Sequence, residues 1–155
     1  MRKEERGSLD EILNRSFEGW YQRHSKRTLR DIEKVYAARI GSMDVGLVML
    51  KNLDSRSGYV YYIAVLPEYR GKKIGGKLLD HSLAYFFDAG VDVVFASLTQ
   101  EHNDSNELFK SRGFERTNYN EISKKYGKIG AVMMYRKMLV VSGEIVVWKW
   151  LTIPM

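Results

Sequence analysis

The hydrophobic pattern divides the chain into short elements that alternate between helical and strand spacing. Between Asp10 and Trp20, the residues Ile12, Leu13, Phe17 and Trp20 recur at helical intervals. The spacing predicts a break over His24 to Thr28, then a short helix over Leu29 to Val35. Val35 to Ile40 and Val45 to Leu50 are β-rich runs around Gly41-Ser42-Met43-Asp44, the signature of a hairpin. Leu53 to Gly58 reads as a polar turn. Tyr59 to Leu66 (YVYYIAVL) is apolar on both faces, which predicts a central strand ended by Pro67.

Ile74, Leu78, Leu79, Leu83, Phe86 and Phe87 form a helical stripe stopped by Gly90. Val91 to Leu98 (VDVVFASL) predicts a second buried strand, and Asp104 to Ser111 a short helix closed by Gly113. Phe114 to Tyr119 and Val132 to Leu139 read as strands around a loop over Ser123 to Gly130. Glu144 to Leu151 (EIVVWKWL) is the last strand. The order predicts one mixed α/β domain over residues 1–155, with an antiparallel front half and one parallel crossover.

Composition narrows the chemistry. The 155 residues contain no cysteine, which excludes a disulfide scaffold, a Cys-ligated zinc, an iron–sulfur cluster and a cysteine nucleophile. Nothing in the amino-terminal segment has signal-peptide form, and no run has the ~20 apolar residues that span a bilayer. A cytoplasmic protein without a membrane partner is the expectation. His24, His81 and His102 are scattered and fit no metal-ligand spacing, so no metal site is expected. The net charge of +6 favours an anionic partner without choosing one. The basic run Arg23 to Arg30 could meet an acidic substrate or nucleic acid, but as a loop it reads as solvated charge.

The informative segment is Pro67-Glu68-Tyr69-Arg70-Gly71-Lys72-Lys73-Ile74-Gly75-Gly76-Lys77, between a buried strand and an amphipathic helix. A strand–helix turn presents backbone N–H groups and the positive end of the helix dipole. With glycines for close approach and four cations (Arg70, Lys72, Lys73, Lys77), it reads as a phosphate site rather than a plain basic turn. Gly71 to Lys77 fits G-x-x-x-x-G-K, but Leu78 stands where a P-loop needs Ser or Thr for Mg²⁺. The dinucleotide fingerprint fails as well, because Lys73 occupies its second glycine.

Ile63 to Leu79 instead resembles the acetyl-CoA motif of the GNAT superfamily of N-acetyltransferases, [Q/R]-x-x-G-x-[G/A]. Arg70 fills its first position and Gly75 its last, while Lys73 replaces its first glycine. Leu108-Phe109-Lys110-Ser111-Arg112-Gly113-Phe114 resembles the family's L-[Y/F]-x-x-x-G-F helix, and the likeness runs from about Val35 to Leu139. It implies a GNAT-type (acyl-CoA N-acyltransferase) fold: a mixed, mostly antiparallel sheet with flanking helices and a splayed central strand. It also implies transfer of an acetyl group from acetyl-CoA to a primary amine by direct attack in a ternary complex.

By this resemblance, Arg70, Gly71, Lys72, Lys73, Ile74, Gly75 and Gly76 hold the pyrophosphate. The pantetheine pairs with the backbone of Ile63, Ala64 and Val65, and the Ile63 amide polarises the thioester carbonyl. Asn103, one residue late, is favoured over His102 as the pantetheine's asparagine; the alternative is that Asn103 or Asp104 only caps the helix. Phe109 lines the thiol pocket where many relatives carry a tyrosine acid. The central strand has no carboxylate to act as base, so a water relayed through Tyr61 takes that role; packing accounts for the tyrosines too. The acceptor is expected between Glu18, Trp20, Tyr21 and the loop Ser123 to Gly130. Nucleic acid is not the expected partner of this enzyme. The alternative is a non-catalytic module that keeps the CoA cleft or binds nucleic acid on its basic surface. The apolar carboxyl end either completes the sheet or forms a homodimer contact.

Overall fold

A computed structural model describes residues 3–99, 103–138 and 145–151. Helices α1 (Lys3–Ser16) and α2 (Gly19–Asp31) precede strands β1 (Lys34–Ile40), β2 (Met43–Asp54) and β3 (Ser57–Val65). A 3-10 turn (Pro67–Tyr69) leads to α3 (Ile74–Asp88), followed by β4 (Val93–Thr99), α4 (Asn103–Ser111), β5 (Glu115–Thr117), α5 (Tyr119–Lys137) and β6 (Ile145–Leu151). The six strands lie in one mixed sheet in the order β1-β2-β3-β4-β6-β5. The β1–β2, β4–β6 and β5–β6 pairs are antiparallel and β3–β4 is parallel. Residues cluster into two units, 3–51 with 62–83 and 52–61 with 84–151.

In the first unit, α1 buries Leu9, Ile12 and Leu13. It ends at Ser16, and Gly19 takes a φ of +58° to redirect the chain into α2, so Trp20 opens α2 and does not close α1. α2 continues through His24 to Thr28, where the sequence predicted a break. Burial of Ser25 and Leu29, four residues apart, outweighs the modest helix propensities of His, Ser and Thr. The predicted hairpin forms with Lys34 opposite Leu50 and Ile40 opposite Met43, and a bulge lies between Ala38 and Arg39. Arg39 donates to the buried Asp44 at 2.7 Å beside that bulge.

In the second unit, Leu53, Tyr59, Val93, Phe95 and Val147 pack with Ile122, Ala131, Met134 and Met138. The last four come from α5 and the residue that caps it, and α5 replaces both the predicted loop Ser123–Gly130 and the predicted strand Val132–Leu139. Gly127 (φ +80°) and Gly130 resemble turn residues in sequence, and Gly127 is itself non-helical, but the chain is helical on both sides of it and the two stretches meet there at a kink. The start signal is legible: Asn118 accepts from the Glu121 amide at 2.9 Å, an N-cap with an acidic residue three positions on. β6 lies between β4 and β5, so the carboxyl-terminal strand completes the sheet.

Candidate active site

β3 supplies the strand end on which the site is built. Its ladder with β4 runs from Ser57–Val93 to Val60–Ala96, while β3 itself continues to Val65. Within that extension Ala64 is buried, and Ile63 and Val65 are half-buried. Beyond it, the Leu66 amide donates to the Val45 carbonyl at 2.8 Å, which anchors the strand end to β2. Gly46 keeps this approach close, because a Cβ there would stand 3.1 Å from the Ala64 carbonyl oxygen and 3.2 Å from Leu78 Cδ1.

The turn that follows is held by its own backbone. Tyr69 N–H donates to Leu66 O at 2.9 Å and Arg70 N–H to Pro67 O at 3.3 Å. The Arg70 side chain folds back, its Nε donating to Val65 O at 3.0 Å. Gly71 has a φ of +78° and Lys73 a φ of +64°. Lys73 therefore adopts a left-handed conformation that favours glycine, the residue the acetyl-CoA motif has there, at a cost of roughly 1–2 kcal/mol. The Lys77 amide makes a helical bond to Lys73 O at 3.2 Å. The amides of Ile74, Gly75 and Gly76 precede it as leading donors of α3, and among the described residues they have no acceptor. Gly75 and Gly76 thus lie inside the first helical turn.

Charge around these amides is one-sided. Lys72, Lys73 and Lys77 are exposed, Lys72 standing over the Tyr69 ring at 5.4 Å. The nearby carboxylate, Glu68, is paired with Arg15 of α1. Three leading amides, the positive end of a helix dipole and lysines with no acidic partner among the described residues are features that suit an anion.

Sequence reading missed one cluster in the same unit, because it broke the chain at His24. His24 Nδ1 lies 2.8 Å from Tyr62 Oη, one residue before Ile63. The Trp20 ring stacks on His24 at 4.4 Å and 12°, and Phe17 meets Tyr62 edge-on at 5.3 Å. Burial, followed by the charges of Arg27 and Lys51, lowers the His24 pKa below the ordinary 6.5. The unfolded chain therefore binds this proton more readily than the native protein, and His24 contributes a loss of stability as pH falls below 6.5. Denaturant titrations between pH 5 and 8 should show a shallower pH dependence for His24→Gln than for the wild type.

The remaining candidates belong to the second unit. Tyr61 packs partly buried against the core cluster, edge-on to Tyr59 at 5.5 Å, and Tyr59 hydrogen-bonds Ser97. Phe109 is 1% exposed and meets Phe114 edge-on at 5.0 Å. Asn103 begins α4, and its side chain lies outside the described residues. The predicted loop bordering the acceptor is part of α5, with Tyr126 half-buried and its pKa raised mainly by that burial. Among the described residues no group of three or more His, Asp or Glu could hold a metal, and no helix is long and apolar enough to cross a membrane.

A mixed, mostly antiparallel sheet carrying a lysine-rich strand–helix turn fits the acyl-CoA acyltransferase class. Residues 7–114 match the family model "Acetyltransferase (GNAT) family", and the chain belongs to that family. The structure is similar to the ribosomal-protein-S18-alanine N-acetyltransferase of Escherichia coli, with TM-score 0.72, 12% identity, and coverage of 98% of this chain and 90% of that one. It is also similar to a GNAT family acetyltransferase of Elizabethkingia anophelis with acetyl-CoA bound, with TM-score 0.66, 15% identity, and coverage of 91% and 88%. A third similar structure is the N-acetylglutamate synthase of Neisseria gonorrhoeae complexed with coenzyme A and N-acetyl-glutamate. Its TM-score is 0.62 and its identity 20%, with coverage of 82% of this chain and 27% of that one. At these identities the likeness is one of fold. No curated protein matches the sequence.

Proposed function

We propose that the protein transfers an acetyl group from acetyl-CoA to a primary amine by direct attack in a ternary complex. The turn from Arg70 to Lys77 carries the reading: its leading amides and lysines suit the pyrophosphate of CoA. Family membership and the CoA-bound relatives support the same co-substrate. In this reading the pantetheine pairs with the backbone of Ile63, Ala64 and Val65, beyond the end of the β4 ladder. The Ile63 amide faces the thioester oxygen, where a preorganised donor stabilises the developing oxyanion. Asn103 and Phe109 complete the cofactor set by the same resemblance.

The acceptor reaches the thioester over Glu18, Trp20 and Tyr21 at the α1–α2 junction. Its nitrogen attacks the carbonyl carbon, the C–S bond breaks, and the CoA thiolate leaves. Phe109 carries no proton to give, so the thiolate leaves without a side-chain acid, which a thiol pKa near 8.5 permits. The ammonium proton passes to a water held by Tyr61. Thiol release with acetyl-CoA and a panel of primary amines tests the reading. At least one amine should release CoA at a rate that rises with pH as the amine loses its proton. Absence of release with every amine, from a folded protein that binds acetyl-CoA, would sink it.

A further inference from the structure

The helical course of α2 changes the meaning of the basic run. At 100° per residue, Trp20, Arg23, Lys26, Arg27 and Arg30 fall within about a third of the helix circumference. Ser25 and Leu29 occupy the buried side. Arg23, Arg27 and Arg30 are exposed and Lys26 is half-buried. Among the described residues none of these four cations has an acidic partner. By contrast, Arg15, Arg39 and Arg56 are each held by a carboxylate: Glu68, Asp44 and Asp92. Burial first, and then the charge of Arg27, lowers the His24 pKa.

Trp20 heads this stripe and is 42% exposed. His24 stacked at 4.4 Å and Tyr21 edge-on at 5.2 Å fix its ring. Three of the four cations are arginines, whose planar forks match phosphate oxygens in a bidentate manner. Arg23 to Arg30 spans about 10 Å of helix axis, the reach of a few consecutive phosphates. A fixed, exposed indole in line with them offers a base a stacking surface. An acidic protein surface would meet the arginines but has no use for Trp20, and a duplex hides its base faces.

We propose that the outer face of α2 binds single-stranded nucleic acid, with the phosphate backbone on Arg23, Lys26, Arg27 and Arg30 and a base stacked on Trp20. The site does not depend on the transferase reading. Fluorescence anisotropy tests it with the full chain and a labelled, mixed-sequence single strand of about 15 nucleotides. The logarithm of affinity should fall against the logarithm of salt with a slope of about −2 to −3, the value for up to four phosphate contacts.

Arg23→Gln/Arg27→Gln/Arg30→Gln should lower affinity at least tenfold and flatten the slope by about 2. Replacing the same three with lysine should restore most of the slope. Trp20→Leu should weaken binding at least fivefold with the slope unchanged. Lys110→Gln/Lys124→Gln/Arg136→Gln, which removes the same charge from exposed sites elsewhere, should alter neither quantity. Melting curves confirm that each variant is folded. Equal weakening by the two glutamine triples would overturn the site, since net charge would then explain binding. Competition by polyglutamate as strong as by unlabelled oligonucleotide would assign the face to acidic proteins instead. Equal affinity for duplex, unaffected by Trp20→Leu, would overturn the stacking contact.

Discussion

Gly75→Asp should weaken acetyl-CoA binding by about two powers of ten or more while leaving the protein folded. Gly75 is the second residue of α3, among the leading amides proposed to hold the pyrophosphate. A carboxylate about 4 Å from a phosphate charge is opposed by roughly 4 kcal/mol at an effective dielectric near 20. The same carboxylate is favourable to the free protein. Asp in a first helical turn complements the dipole, and any residue other than Gly or Pro improves helix propensity there. Calorimetric titration should therefore show lost affinity alongside an unchanged or raised melting temperature. Gly75→Ala separates bulk from charge and should lose much less. Wild-type affinity in folded Gly75→Asp would remove the pyrophosphate from this turn.

Gly58→Ala should destabilise the protein by about 2–3 kcal/mol, which lowers the melting temperature by roughly 5–10 °C. Gly58 lies in β3 opposite Val94, within the ladder that ends two residues later. A Cβ there would stand 2.5 Å from Cδ1 and Cε1 of Phe86, and Phe86 is fully buried. Such a separation forces the ring or the strand to move, and close-packed interiors resist both. Phe86→Leu should itself destabilise by leaving a cavity. The double substitution should be less destabilised than the sum of the two singles, because the smaller side chain frees the space the methyl needs. Additive losses in denaturant titrations would show that Gly58 is needed for a reason other than this contact.

The parts of the site that were legible in sequence depend on neighbours in the chain. The turn after β3 could be read because Pro67, Gly71, Gly75, Gly76 and four cations sit within eleven residues of a buried strand. Lys73 looked like a departure from the motif, yet its backbone takes the left-handed form that favours glycine. Local spacing cannot show that, because the conformation is imposed by the 3-10 turn before it and the helix after it. The Trp20–His24–Tyr62 cluster was not legible, because it joins residues 38 positions apart in sequence. The nearby glycines Gly127 and Gly130 also outweighed the periodicity of Ile122, Ala131 and Met134, so α5 read as a loop and a strand.

The sequence by itself determined the α/β class, the hairpin, the buried strand ahead of the turn, the basic turn and the family. The first four follow from period, glycine placement and charge within a few residues of one another, and the family from the resemblance of two local motifs. Tertiary structure alone decided three things. It made α2 continuous, because burying Ser25 and Leu29 outweighs weak local propensity, and this aligned Arg23, Lys26, Arg27 and Arg30 along one face. It made α5 a helix, because Ile122, Ala131 and Met134 could be buried on a cluster built from β2, β3, β4 and β6. It placed β6 between β4 and β5, since strand pairing depends on which edges remain open once the rest of the sheet has formed. In each case the deciding free energy comes from contacts between distant residues, which local patterns do not encode.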